Sequence, residues 1–151
     1  MPALKQRIRE DLTASMKARD ETKTRALRMA LTSIGNEEVA GKSARELDDA
    51  EIVKILAREA KRRREAAEAF ADAGRAEQAA AERAEEAVLA EYLPAQLDDA
   101  ELAALVAETI SETGAAGPQA MGQVMKAVTA KVAGRAEGSR VAAVVRQQLA
   151  G

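Results

Sequence analysis

The sequence lacks several residue types on which enzymes and binding sites commonly depend. It has no cysteine, no histidine and no tryptophan, and its only aromatic residues are Phe70 and Tyr92. Without cysteine the chain forms no disulfide or zinc–thiolate site, and without histidine it lacks the commonest general base and metal ligand. Two aromatic side chains argue against recognition of single-stranded nucleic acid by base stacking, which leaves phosphate contacts to a folded RNA as the open mode.

Motifs for catalysis and for membrane insertion are missing as well. The sequence has no GxxxxGK[ST] or GxGxxG phosphate-binding loop, and its five serines are scattered rather than placed in a glycine-rich nucleophile motif. No window approaches the roughly 18 consecutive apolar residues of a membrane span, and the first residues lack the apolar core of a signal peptide. We therefore expect a cytoplasmic protein with no membrane partner, no metal, no cofactor and no catalytic residues, one that is not an enzyme by itself.

What the sequence does contain is helical periodicity. Apolar residues recur at steps of three and four along the whole chain, and no stretch shows the alternation of a strand. Alanine supplies 37 residues and leaves only 34 larger apolar side chains, so any core must be thin and closely packed. Pro94 disfavours helix at the residue before it and divides the pattern. We predict an all-α fold with an N-terminal four-helix bundle over residues 1–93, a linker over 94–97 and a C-terminal three-helix bundle over 98–151.

Local signals place several helix starts and buried faces. Asp48 with Glu51, and Asp98 with Glu101, have the spacing of capping boxes, in which each side chain of the pair bonds the backbone of the other residue. The residues predicted to face a core include Leu4, Ile8, Leu12 and Met16 on the first helix, Ile52, Leu56, Ala60, Ala67 and Phe70 on the third, Ala80, Ala84, Ala87 and Val88 on the fourth, and Met29, Met121 and Met125 as fillers.

Arg63 lies within the apolar stripe of the predicted third helix. An unpaired buried charge is costly, so two explanations are open. Either Arg63 forms a salt bridge with a carboxylate, which we favour, or this part of the helix overhangs a cleft between the bundles.

The C-terminal segment over residues 118–149 predicts two amphipathic helices joined by the turn GRAEG. Because glycine tolerates positive φ, Gly134 and Gly138 let the chain turn sharply and place Arg135 at the tip, near a helix N-terminus that Ser139 is expected to cap. Gly122 lies inside the first of these helices, where glycine is unfavourable, and so predicts close packing of another backbone. The candidate phosphate contacts on this hairpin are Lys126, Lys131, Arg135, Arg140 and Arg146.

Charge is distributed unevenly along the chain. Residues 76–112 carry one basic and ten acidic side chains, whereas residues 113–151 carry five basic and one acidic. The basic end favours contact with phosphates, and the acidic stretch should be repelled by nucleic acid. The alternative is a protein–protein adaptor that uses the acidic surface over residues 77–112 and makes no RNA contact.

Several segments resemble the GatB/YqeY family. They are SMKARD and LRMALTSIGNEEV in the first third of the chain, YLPAQL at residues 92–97, MGQVMKAV at 121–128 and GRAEGSRV at 134–141. Their order and spacing are similar to those of the free-standing YqeY-like proteins over nearly the whole chain.

The resemblance implies a function that the residues alone do not. The related region of the GatB subunit, in the glutamine-dependent tRNA amidotransferase, is a helical appendage that engages tRNA. The kinase-like body of that subunit has no counterpart here. The resemblance therefore implies a non-catalytic module that binds tRNA or associates with amidotransferase or synthetase subunits. Such a module is associated with carbon–nitrogen ligase activity only through its family and does not catalyse that reaction itself.

Overall fold

The computed structural model describes every residue from Met1 to Gly151, and the chain is all-helical. The prediction of an all-α fold is confirmed. The chain divides into two compact units, Met1–Leu93 and Pro94–Gly151. None of its helices combines the length and the apolar composition needed to cross a membrane.

Four helices form the first unit. They are α1 (Ala3–Lys17), α2 (Glu21–Glu38), α3 (Asp49–Asp72) and α4 (Ala76–Ala90). Large aliphatic side chains from all four helices meet in one apolar core. Its members include Ile8 of α1, Leu27 and Ile34 of α2, Ile52 and Leu56 of α3, and Leu89 of α4, together with Leu47 and Tyr92 outside the helices.

The second unit contains three helices and a short 3-10 turn. These are α5 (Asp99–Thr113), the turn Pro118–Ala120, α6 (Met121–Val132) and α7 (Gly138–Ala150). The unit has its own apolar core, to which each helix contributes one stripe. The fully enclosed members are Leu102 and Val106 of α5, Val124 and Val128 of α6, and Val145 of α7.

Both predicted capping boxes are present, and they fix where α3 and α5 begin. The Glu51 amide donates to Asp48 Oδ1 at 2.8 Å, and the Asp48 amide donates to the Glu51 carboxylate at 3.4 Å. The corresponding distances for Asp98 and Glu101 are 2.7 Å and 3.1 Å. Each box satisfies backbone donors that a helix start otherwise leaves unpaired.

The buried face of α4 differs from the prediction. Ala80, Ala84 and Ala87 are exposed and Val88 is only partly buried, while the buried residues of the helix are Ala79, Glu85 and Leu89. The predicted stripe was wrong because a helix with alanine at seven of its 15 positions offers little contrast in size between its faces. Its packing against α2 and α3 selects the face instead.

Two methionines predicted to fill the core are on the surface. Met16 is 43% exposed and Met29 is 47% exposed. Ser15 occupies the buried position on α1 beside Met16, and its hydroxyl lies 2.9 Å from both the Leu12 carbonyl and the Thr24 hydroxyl. These bonds allow a serine to be buried where the four-residue spacing favoured a methionine. Met121 and Met125, by contrast, pack partly buried against the second core.

Arg63 is buried at 7% exposure and forms the salt bridge that the sequence analysis favoured. Its guanidinium lies 3.0 Å from Glu59 Oε2, one turn earlier on α3, and 3.9 Å from Glu85 Oε2 on α4. Ser33 of α2 donates to the other Glu59 oxygen at 2.9 Å. Burial raises the pKa of Glu59, but the hydrogen bonds from Arg63 and Ser33 outweigh that effect, so the pKa lies below its usual value.

Tyr92 secures the end of α4 to α1. Its hydroxyl donates a hydrogen bond to Asp11 Oδ2, and the Arg7 guanidinium lies 4.5 Å from the centre of its ring. Arg7 also donates to the Glu91 carbonyl at 3.4 Å. Burial and the bond to Asp11 both raise the pKa of Tyr92 well above its ordinary value, so the hydroxyl stays protonated and continues to donate.

We expect Arg63→Ala to lower the free energy of unfolding by about 3 kcal/mol or more, because it leaves the carboxylate of Glu85 buried without a cation and that of Glu59 with only the exposed Arg62. Urea denaturation followed by circular dichroism measures this. Arg62→Ala is the control, since Arg62 contacts the same Glu59 but its side chain is 68% exposed, and its loss should cost under about 1 kcal/mol. Equal losses for the two variants would contradict a structural role of the buried charge.

Candidate nucleic-acid interface

The turn between α6 and α7 is built from two successive left-handed residues. Ala133 has φ +49° and Gly134 has φ +83°, and α6 ends at Val132. The Ala133 amide donates to the Thr129 carbonyl at 3.1 Å, and the Arg135 amide donates to the Val132 carbonyl at 3.0 Å. The chain thus reverses immediately after α6, and glycine is required at position 134 because its φ is unfavourable for other residues.

Arg135 does not extend from the tip as a free cation. Its side chain folds back along α6 and donates to the carbonyls of Val132 and Lys131, each at 3.1 Å. These carbonyls lie at the negative end of the helix dipole, where a cation stabilises a helix. The structure therefore gives Arg135 a capping role that the sequence analysis did not foresee.

Arg140 connects the hairpin to the segment after Pro94. Its guanidinium donates to the Leu97 carbonyl at 3.1 Å and to Asp99 Oδ1 at 3.0 Å. In the same place the Leu97 amide donates to the Arg135 carbonyl at 2.7 Å, and Gln96 donates to the Gly134 carbonyl at 3.3 Å. Gln96 and Leu97, in the segment 94–97 that was predicted to be a linker, are thus bonded to the hairpin within the second unit.

Lys131 also has a partner inside this unit. Its ammonium forms an ion pair with Glu112 near the end of α5. The hydrogen bond and charge of Lys131 hold the pKa of Glu112 below its usual value. Both side chains are exposed, so the pair is weak and leaves Lys131 able to exchange its partner for another anion.

Lys126 and Arg146 are the two predicted contacts that make neither an ion pair nor a side-chain hydrogen bond within the chain. Lys126 lies on the exposed face of α6 and Arg146 on the exposed face of α7. The five candidates thus separate into two free cations and three with structural partners. All five belong to the second unit, but only Lys126 and Arg146 are available for phosphate contacts without loss of an existing interaction.

Three details of the hairpin differ from the sequence analysis. A Cβ added at Gly122 would meet nothing within 4 Å, so no backbone packs against this glycine. Gly138 does not have positive φ, because it is the first residue of α7 rather than part of the turn. The residue at the N-cap of α7 is Glu137 and not Ser139, which places a carboxylate at the positive end of this helix dipole.

The acidic stretch proposed for a protein partner is largely occupied by contacts within each unit. Glu85 is buried against Arg63, and Glu86 lies 2.9 Å from Arg64. In the second unit Asp98 and Glu101 form a capping box, and Asp99 and Glu112 form ion pairs. Glu85 in particular cannot serve as a surface contact. No group of three acidic side chains is arranged to hold a metal ion.

Unpaired cations also occur in the first unit, where no nucleic-acid contact was predicted. Six basic side chains around the junction of α1 and α2 form no ion pair. The signal available in the sequence was the alternation of lysine and arginine in SMKARDETKTRALR, in which the intervening acids conceal the excess of positive charge.

Comparison with known families gives one match. A sequence model of the family described as "Yqey-like protein" matches residues 5–149. No curated protein matches the chain.

We expect Gly122→Ala and Gly138→Ala each to raise the free energy of unfolding by up to about 1 kcal/mol, because both glycines have helical backbone and open space at the Cβ position. Gly134→Ala is the contrasting variant and should lower it by about 1 kcal/mol or more, since its φ is +83°. Thermal unfolding of the three variants tests this. Stabilisation by Gly134→Ala would contradict the described turn.

We expect Arg135→Ala to lower the stability of the second unit by about 1 kcal/mol, because α6 loses two bonds to its terminal carbonyls. Hydrogen exchange followed by mass spectrometry should show faster exchange in peptides from α6. Arg146→Ala provides the control, since Arg146 is exposed and forms no hydrogen bond or ion pair within the chain. Unchanged exchange in Arg135→Ala would refute the capping role.

Proposed function

Because the chain belongs to the YqeY-like protein family, we propose that it is a non-catalytic helical module that binds folded tRNA through phosphate contacts. The proposal follows from the relationship of this family to the tRNA-engaging appendage of the amidotransferase GatB subunit. By the same relationship, the tRNA is one that is presented to an amidotransferase or a synthetase.

One observation carries the proposal on this chain: the two free cations of the hairpin. Lys126 and Arg146 are exposed and form no ion pair, whereas the other cations of the second unit have partners. A cation with no internal partner gives up no protein contact when it binds a phosphate. Counterion release from the RNA then contributes directly to affinity.

The aromatic residues support phosphate recognition rather than recognition of bases. Tyr92 is 5% exposed and its hydroxyl is bonded to Asp11, while Phe70 lies partly buried on α3. Neither ring is free to stack on an extruded base. Rigid helices with long basic side chains instead suit the shape and the phosphates of a folded RNA.

The three partnered basic residues have a supporting role in this proposal. Arg135 ends α6 and Arg140 holds the Leu97 segment against the turn, so both maintain the relative placement of α6 and α7. Lys131 adds to the local positive potential while paired with Glu112. Their substitution would affect binding through the conformation of the hairpin as well as through charge.

We expect the purified protein to bind unmodified tRNA with an affinity that falls steeply with salt, measured by fluorescence anisotropy. In the variant Lys126→Gln/Arg146→Gln, the log–log salt slope should decrease in magnitude by about one for each lost contact. Thermal stability should be unchanged, because both side chains are exposed and neither forms a hydrogen bond or an ion pair within the chain.

The matched control is Arg58→Gln/Arg83→Gln, which removes the same charge from exposed positions on α3 and α4. It should retain the slope of the natural protein. Absence of tRNA binding by the natural protein at low salt would overturn the proposal. Binding that is lost equally in both variants would assign the effect to net charge and not to the hairpin.

A further inference from the structure

The junction of α1 and α2 carries a second set of basic side chains, which we call the α1–α2 corner. It consists of residues 9–17 of α1, the connecting residues 18–20 and residues 21–29 of α2. Its basic residues are Arg9, Lys17, Arg19, Lys23, Arg25 and Arg28.

We propose that the α1–α2 corner is a second phosphate-binding surface, located in the first unit, for the folded RNA. The proposal rests on the RNA-binding function proposed above, but it concerns different residues and a different unit of the chain. It predicts that each unit contributes its own phosphate contacts.

The cations of the corner lack carboxylate partners and all lie within residues 9–28. None of the six forms an ion pair, and five of them are exposed, with Lys23 partly so. On α3, by contrast, Arg62 and Arg63 pair with Glu59, and Arg64 pairs with Glu86. The unit therefore neutralises the basic run of α3 internally and leaves the charge of the corner to the solvent or to a ligand.

The carboxylates of the corner are mostly occupied by backbone and side-chain donors. Asp20 caps α2 by accepting a bond from the Lys23 amide at 3.1 Å. Asp11 accepts from Tyr92, and Glu10 accepts from Gln6 at 3.0 Å. Only Glu21 is without a bond. The four carboxylates keep their charge and offset part of that of the six cations, which leaves residues 9–28 with a net positive charge.

The backbone of the corner is held in one conformation. Arg19 has φ +58°, and the amides of Arg19 and Asp20 donate to the carbonyls of Met16 and Ser15 at 3.2 and 3.0 Å. The Ser15 hydroxyl lies 2.9 Å from that of Thr24 and joins the two helices beneath the turn. Cations on a fixed backbone lose less conformational freedom on binding than cations on a flexible tail.

The dimensions of the corner suit a row of phosphates. Arg9 and Lys17 are about 12 Å apart along the axis of α1, and Lys23 and Arg28 are about 8 Å apart along the axis of α2. Long basic side chains spread over these lengths can reach more than one phosphate of an RNA strand. A single small anion would use only part of the surface.

The corner also exposes Met16 and Met29, and these bear on the kind of partner. Arg28 donates to the Met16 sulfur at 3.2 Å, so this thioether lies beneath a guanidinium instead of forming part of an apolar patch. A protein interface requires a central apolar cluster, usually with aromatic anchors. Two flexible methionines among six cations favour a polyanion, and RNA is the polyanion to which the proposed function already points.

The test compares tRNA binding of the natural protein with that of Lys17→Gln/Arg25→Gln/Arg28→Gln. Arg19 is left unchanged because of its left-handed backbone. We expect affinity at low salt to fall about tenfold and the magnitude of the log–log salt slope to fall by about two to three. The matched control, Lys54→Gln/Arg58→Gln/Arg83→Gln, removes three exposed, unpaired cations from α3 and α4 and should retain the natural slope.

Two further variants separate phosphate contacts from loss of folding and from protein binding. Arg25→Lys/Arg28→Lys keeps the charge and should bind within about twofold of the natural protein. Met16→Ala/Met29→Ala should also bind within about twofold. If this methionine variant loses more affinity than the glutamine variant, the surface recognises apolar groups, as a protein-docking site would, and the proposal is wrong.

The possible outcomes distinguish the two proposals. If the natural protein binds tRNA and the corner variant binds equally well, the corner is not a phosphate surface, while the function proposed for the hairpin stands. If the natural protein does not bind tRNA, both proposals fail together. If the corner variant loses its slope while Lys126→Gln/Arg146→Gln retains it, RNA binding belongs to the first unit alone.

Discussion

The buried charge of Arg63 is the constraint on which the first unit depends. A guanidinium in an apolar core must be balanced, and the balance here comes from Glu59 on the same helix and Glu85 on α4, with Ser33 of α2 bonding Glu59. These bonds fix how α2, α3 and α4 pack against one another. The ion pair with Arg63 places the face of α4 that carries Glu85 toward the core, whereas the alanines of α4 do not distinguish one face from another. It also buries Glu85, which is therefore not available to a partner protein.

Directional bonds have a large part in both units because the apolar side chains are small. Alanine makes up more than half of the hydrophobic residues, so shape complementarity alone distinguishes poorly between neighbouring helix registers. Capping boxes at Asp48 and Asp98 fix the starts of α3 and α5. Tyr92 bonds α1 through Asp11, and Arg140 bonds the Leu97 segment to the C-terminal hairpin.

The same bonds determine which basic residues are available to a ligand. In the second unit carbonyls and carboxylates engage Arg135, Arg140 and Lys131, and only Lys126 and Arg146 remain unpaired. In the first unit α3 pairs its basic run internally, while the α1–α2 corner does not. A count of charges along the sequence therefore overestimates the positive charge that the hairpin offers to a ligand and underestimates that of the corner. The count does not record which charges are already paired within the fold.

The sequence by itself determined the helical class, the helix starts at Asp48 and Asp98, the need of Arg63 for a carboxylate, and a family resemblance that the match over residues 5–149 confirms. These features depend on local spacing and on the cost of burying a charge, both of which can be read along the chain. Only the tertiary structure decided the face of α4, the exposure of Met16 and Met29, and the capping role of Arg135. Each of these depends on a partner distant in the sequence or on the exact residue at which a helix ends, and neither is encoded in periodicity.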